Sequence, residues 1–335
     1  MRKNYKKIQC IFPVLCLCAI ALGSSLSADA SGKMLVPGGE VVGIKVECDG
    51  VLVVGMNEPE NGKLPAFEAG IRTGDVITHI GADEVDSIEE FREELAQWSG
   101  GEITLRVLRG DKNMQFAVTP TAGKNGGELG VWLRDGMAGL GTVSFYDPAT
   151  GIYGALGHAV NDIDTGVLIP VREGEIMEAE VSGVVRGECG KPGELLGSFD
   201  SDAELGSIET NCTSGIFGRL ERNCSIAKGG AVEMAQRNEV FVGAATVLAS
   251  VDGTVREYAV EISRIYPGET GGRDLLITVT DPALIEKTGG IVQGMSGSPI
   301  LQNGRIVGAV THVFVNDPTR GYGIFIENML TEAKK

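Results

Sequence analysis

Short apolar runs separated by glycine-rich turns dominate the chain, and few segments have the spacing of an amphipathic helix. Apolar runs at residues 41–46 and 51–56 flank Cys48-Asp49-Gly50, which predicts two short strands joined by a turn. The string P-A-F-E-A-G-I-R-T-G-D-V-I, residues 65–77, predicts a short helical turn running into a strand. Between Ser87 and Trp98, the residues Ile88, Phe91, Leu95 and Trp98 recur at helical spacing. Ser87 and Glu90 stand where a capping box would start that helix. Two further strands, residues 103–108 and 115–119, are joined by Arg109-Gly110-Asp111-Lys112. After Gly123-Lys124-Asn125-Gly126-Gly127, which reads as a linker, Val/Ile/Leu runs recur at 141–146, 167–171, 240–249, 255–262 and 275–280. Apart from a short helix at 282–287, that pattern predicts an all-β barrel or sandwich.

Composition adds limits. The 335 residues suffice for two domains. Arg2, Lys3, Lys6 and Lys7 precede an apolar run at 8–22, and small residues follow, so residues 1–30 read as a signal peptide or signal anchor. The remainder is then expected outside the cytoplasm. The net charge is −16, and it reaches about −20 once the basic leader is set aside. Such a chain disfavours nucleic acid and anionic lipid. No phosphate-cradling loop or dinucleotide fingerprint occurs, and no cofactor is implied. Cys48, Cys189, Cys212 and Cys224 match no zinc spacing, so no metal is expected; a disulfide among the last three is conceivable outside the cytoplasm.

Candidate chemistry centres on Gly294-Met295-Ser296-Gly297-Ser298-Pro299, followed by an apolar run at 300–310 that turns at Asn303-Gly304. Small residues on both sides let the backbone turn sharply, project a serine oxygen and converge N–H groups on one point. The string resembles the G-D-S-G-G-P of trypsin-like serine peptidases, with Met295 and Ser298 as departures. Alignment with that string selects Ser296 as nucleophile over Ser298, with the N–H groups of Gly294 and Ser296 as oxyanion donors. His158 precedes Ser296, as the base does in trypsin-like enzymes, and has small neighbours; His312 is expected to line a pocket or serve structure, and His79 to be structural. For the orienting carboxylate, spacing leaves Asp162, Asp164, Asp200, Asp202 and Asp281 open.

Two resemblances extend this reading. The order of elements over residues 36–122, and the A-G-I-R-T-G-D-V-I string above all, resemble a PDZ domain of the bacterial protease-associated type. That likeness implies a peptide groove beside the Ser87–Trp98 helix, with a terminal carboxylate received by the N–H groups of Val42, Gly43 and Ile44. The strings Q-G-M-S-G-S-P and T-H-V-F-V-N-D-P, together with Gly157-His158-Ala159, resemble the SpoIVB peptidases, PDZ-containing serine peptidases of endospore-forming bacteria. The likeness implies a mainly β chain: a PDZ domain, then a trypsin-like double β-barrel peptidase domain over 128–335. It implies a triad of Ser296, His158 and Asp281, self-cleavage, and a place between the forespore membranes. The implied substrate is an extracytoplasmic part of a membrane regulator of an intramembrane protease, whose release activates a late sporulation sigma factor. The PDZ ligand would be a peptide terminus, its own or the substrate's. An inactive PDZ adaptor and a general envelope quality-control protease are the competing expectations.

Overall fold

The A-G-I-R-T-G-D-V-I string folds around one buried carboxylate. Asp75 has a side chain only 1% exposed, and both its oxygens are taken by Arg109, Nε to Oδ1 at 2.6 Å and Nη2 to Oδ2 at 2.7 Å. The Arg72 N–H also donates to Oδ2, at 2.8 Å. Gly70 (φ 107°) and Gly74 (φ 92°) supply left-handed turns on either side, which is why the string needs glycine there.

The structure is a computed structural model that describes residues 32–57, 62–221, 224–226, 229–266, 268 and 271–334. The expected leader, residues 1–30, lies outside the described residues. In chain order the strands are β1 (Met34–Pro37), β2 (Val41–Met56), β3 (Val76–Ile80), β4 (Asp83–Glu84), β5 (Ile103–Arg109), β6 (Lys112–Val118), β7 (Thr121–Gly123), β8 (Gly126–Glu128), β9 (Val131–Asp147) and β10 (Ile152–Ala155). They continue as β11 (Val171–Val185), β12 (Glu194–Cys212), β13 (Gly215–Leu220), β14 (Val232–Glu233), β15 (Gly243–Ala249), β16 (Arg256–Ile265), β17 (Leu275–Val279), β18 (Pro299–Gln302), β19 (Arg305–Phe314) and β20 (Asp317–Phe325). The α-helices are α1 (Pro65–Ala69), α2 (Ile88–Ala96), α3 (Pro282–Thr288) and α4 (Ile326–Glu332).

Two closed rings of strands result. The first runs β9–β10–β13–β12–β11–β2, and β2 pairs back to β9 to close it. Val42, Ile44, Val143, Tyr153 and Ile176 fill its interior. The second is a closed barrel, β15–β16–β17–β20–β19–β18, around Val260, Ile277, Ile300 and Val310. The tight turn expected at Asn303-Gly304 is present, with φ 53° and 74°. A third core, with Val53, Ile77, Phe91 and Leu105, lies in the PDZ portion, where the Ser87 capping box starts α2 as expected. The chain is mainly β, with two closed rings of strands and a smaller part that carries α1 and α2.

The expected turn at Cys48-Asp49-Gly50 does not form. β2 runs on through it as a single strand of 16 residues, bent where Gly50 takes φ 108°. Residues 41–47 pair with residues 136–142 of β9 inside the first ring. Residues 52–56 pair with 131–134 of the same strand inside the PDZ sheet. The expected domain boundary between 122 and 128 is therefore no seam, since β2 and β9 each belong to both parts. The expected linker is the β7–β8 hairpin, and Gly126 lies so close to Leu95 and Ala96 of α2 that a Cβ would not fit.

Replacing Arg109 with Met strands the Asp75 carboxylate in the core. We expect a loss of about 3 kcal/mol in chemical denaturation, and an unchanged midpoint would show that the pair does not hold the fold.

Candidate active site

The serine loop, residues 293–298, spends four of its six N–H groups on backbone carbonyls. Gln293 donates to Gly193 O (2.8 Å), Met295 to Val292 O (3.1 Å), Gly297 to Val310 O (2.7 Å) and Ser298 to Met295 O (3.0 Å). Among the described residues, the N–H groups of Gly294 and Ser296 donate to none. The carbonyls of those two residues are held by one residue of β9: Thr142 Oγ1 donates to Gly294 O at 2.6 Å, and Thr142 N to Ser296 O at 3.0 Å. The loop therefore keeps two unspent donors flanking the buried Met295, the pattern an oxyanion site requires. Ser298 is fully buried, with no partner for its Oγ among the described residues, and so belongs to the core. Ser296 is half-buried, and its Oγ donates to Thr311 O at 2.8 Å.

His158 is delivered by a sharp turn. Leu156 (φ 67°) and Gly157 (φ 69°) are both left-handed, unusual for a leucine. Leu156 N donates to Thr142 O (3.2 Å), so Thr142 fixes this loop as well as the serine loop. Gly297 makes the two loops meet: a Cβ there would collide with Thr142 O and Leu156 N. The Nδ1 of His158 lies 2.9 Å from Ala159 O. A carbonyl only accepts, so Nδ1 carries the proton and Nε2 keeps its lone pair. Burial holds the pKa of His158 below the usual histidine value, leaving the ring neutral and basic.

The His312 ring sits 5.0 Å from that of His158, tilted by 38°. Burial first, then the charges of His158 and Arg273, push the His312 pKa down to about 4, and its buried Nδ1 has no hydrogen-bond partner among the described residues. No hydrogen bond joins Ser296 and His158 here, a looseness common before substrate binds.

Asp281 has other employment. It is the N-cap of α3: Oδ1 accepts from the N–H groups of Ala283 (2.9 Å) and Leu284 (3.1 Å), and Oδ2 from Ala259 (3.2 Å). Asp162 and Asp164 are bound to Arg134, while Asp200 and Asp202 lie exposed on β12. Among the described residues, none of the five carboxylates left open by spacing hydrogen-bonds the His158 ring; the Ala159 carbonyl holds its tautomer instead. Spacing could not reveal a backbone carbonyl, and although His312 was expected to line a pocket or serve structure, its closeness to the His158 ring was not foreseen.

Val42, Gly43 and Ile44 also differ from expectation. All three are buried and paired on both edges, with residues 139–141 of β9 and 176–178 of β11, so they offer no free edge to a peptide. A groove of about 550 Å³ instead separates α2 from the start of β9, lined by Ile88, Phe91, Leu95, Leu129 and Trp132. At its end the N–H groups of Leu129 and Gly130 donate to no acceptor among the described residues, and Arg92 lies on the groove wall. The sequence signal was Gly127-Glu128-Leu129-Gly130-Val131, a glycine turn leading into a strand.

Because Asp281 caps a helix, Asp281→Ala should cost about 1 kcal/mol in thermal or chemical unfolding, and Asp281→Asn much less. With no carboxylate on the ring, Asp281→Asn should also leave the reactivity of Ser296 within about threefold. A fall of about 10⁴, typical of removing an orienting carboxylate, would return Asp281 to a triad.

A PDZ domain model matches residues 41–119. The crystal structure of the PDZ domain of an SdrC-like protein from Listeria monocytogenes is 28% identical, over 25% of this chain and 87% of that one, with TM-score 0.22. The inactive form of the Rv3671c protease, from Mycobacterium tuberculosis, is 12% identical over 58% of this chain and 85% of that one, with TM-score 0.36. No curated protein matches. The model of the SpoIVB peptidase S55 family matches residues 125–330, which include the serine loop, the His158 turn and the second barrel, and the chain belongs to that family as a PDZ-containing serine peptidase.

Proposed function

We propose that Ser296 and His158 form the catalytic pair of an exported, narrowly specific serine endopeptidase of sporulation. The observation that carries the chemistry is the pair of unspent N–H groups at Gly294 and Ser296, beside a hydroxyl and a neutral imidazole. In the proposed mechanism Ser296 Oγ leaves Thr311 O, gives its proton to His158 Nε2 and attacks a peptide carbonyl carbon. The carbonyl π pair moves onto oxygen, and the oxyanion is received by the two N–H groups. Each such donor typically contributes on the order of a hundredfold or more in rate. The His158 imidazolium then protonates the leaving amine as the C–N bond breaks, leaving an acyl-enzyme. His158 next removes a proton from water as it attacks the ester carbon; the C–O bond to Ser296 then breaks, the acid product leaves, and the imidazolium returns the proton to Ser296 Oγ.

The family supports the biological setting: cleavage of an extracytoplasmic part of a membrane regulator, release of an intramembrane protease, and self-cleavage near the N-terminus. The leader-like residues 1–30 support action outside the cytoplasm, between the forespore membranes. The groove beside α2 supports binding of a peptide terminus, its carboxylate toward Leu129 N and Gly130 N.

A fluorophosphonate should label the purified protein at Ser296, and Ser296→Ala should abolish labelling and self-cleavage while the fold survives. Persistent cleavage by the alanine variant would displace Ser296 as nucleophile, and an unlabelled wild-type protein would favour a PDZ adaptor without activity. The depressed pKa of His158 keeps its base form populated below pH 6.5, so the acid limb of the labelling rate should lie under that value. A limb at or above 6.5 would contradict the buried, neutral base.

A further inference from the structure

Asp162 and Asp164 follow His158 closely in sequence, yet their carboxylates are bound by Arg134 and not by the His158 ring. Asp162 has a side chain with no exposure, and Oδ1 accepts from Asp164 N (3.1 Å), Thr165 N (2.8 Å) and Thr165 Oγ1 (2.9 Å). Its other oxygen accepts from Arg134 Nη1, while Arg134 Nη2 reaches Asp164 Oδ2 at 2.7 Å. Burial alone would raise the Asp162 pKa, but the Thr165 donors and the guanidinium outweigh it and keep the carboxyl ionised. The loop's other brace is Asn211, whose Oδ1 accepts from Val160 N (2.8 Å) and whose Nδ2 donates to Val160 O (2.7 Å) and Ile169 O (2.9 Å).

Arg134 belongs to β9, one residue beyond Leu133 in the floor of the α2 groove. Its other neighbour, Asp135, accepts from the first N–H of α2 at Ile88, at 2.9 Å. Three consecutive residues therefore line the groove, hold the base loop and cap the groove helix. We propose that Arg134 is a positioning residue for His158: its forked guanidinium fastens the base loop, through Asp162 and Asp164, to the strand that floors the PDZ groove. The proposal rests on His158 acting as base to Ser296. A guanidinium suits the task because it can donate to two carboxylates at once from a planar fork, which an ammonium cannot do with the same geometry.

The test uses the chain with a fluorophosphonate probe, in two variants. Arg134→Lys keeps a charge beside the buried Asp162 but loses the fork; the double variant Arg134→Met/Asp162→Asn removes both charges and so leaves no lone buried carboxylate. With folding checked by thermal melting, the maximal rate of labelling at Ser296 should fall about threefold to tenfold in the first and about thirtyfold in the second. The probe concentration for half-maximal rate should stay within about threefold. In the double variant the loosened loop should admit water to His158, so the acid limb should move to higher pH. The other groups near this ring and loop are unchanged in it: His312 beside the ring, Arg273 whose charge acts on His312, and Asp164 on the loop. A purely structural role would lower the fraction labelled without changing the rate of the folded fraction. Folded variants labelled at the wild-type rate, with an unmoved limb, would overturn the proposal. Failure of the wild-type protein to label would instead overturn the serine-peptidase reading beneath it.

Discussion

The approach of Gly297 to β9 is the constraint on which the site depends. Its missing Cβ lets the serine loop press against Thr142 O and Leu156 N. Thr142 then serves three contacts at once, to Gly294, Ser296 and Leu156. Any larger residue at 297 would separate the loop that bears the hydroxyl from the turn that bears the imidazole. The left-handed φ of 98° excludes side chains there for a second reason. The placing of the serine and histidine loops is thus set by backbone packing before any side-chain chemistry enters.

Charge follows a different rule. In an acidic chain, the two carboxylates most deeply buried near the PDZ portion, Asp75 and Asp162, are each given a guanidinium, Arg109 and Arg134. An ionised carboxylate out of water is tolerable only when paired and fully hydrogen-bonded. These arginines therefore stitch loops together, whereas Asp281 is half-exposed and spends its carboxylate on three backbone N–H groups as a helix cap. The imidazoles, by contrast, are half-buried without a hydrogen-bonded carboxylate, and desolvation lowers both of their pKa values.

Much of this was legible in the residues. The Ser87 capping box, the Asn303-Gly304 turn, the short helix after Asp281 and the helical turn at 65–69 running into a strand are local signals, and each formed as read. The all-β character of the second part was likewise visible in its short apolar runs. What failed was long-range pairing. Cys48-Asp49-Gly50 looks like a hairpin turn, but residues 136–142 compete for residues 41–47 and win, turning a predicted hairpin into one long strand. That pairing consumed the edge expected to receive a peptide at Val42, Gly43 and Ile44. The role of Asp281 was also ambiguous in sequence, because an aspartate before proline is as good a helix cap as a catalytic acid.

The shared strands give the PDZ portion an unexpected topological status. Residues 50–134 leave the first ring through β2 and return to it through β9, which makes the PDZ portion an insertion between two neighbouring barrel strands. Folding of the insertion brings its own ends together in register, and those ends are the barrel's closing pair. The entropy of closing that long loop is therefore met jointly by both parts. By mass action, a molecule that binds only the folded insertion stabilises the ring that holds Thr142 as well. Ligand affinity in one part and persistence of the folded protease in the other are a single linked equilibrium.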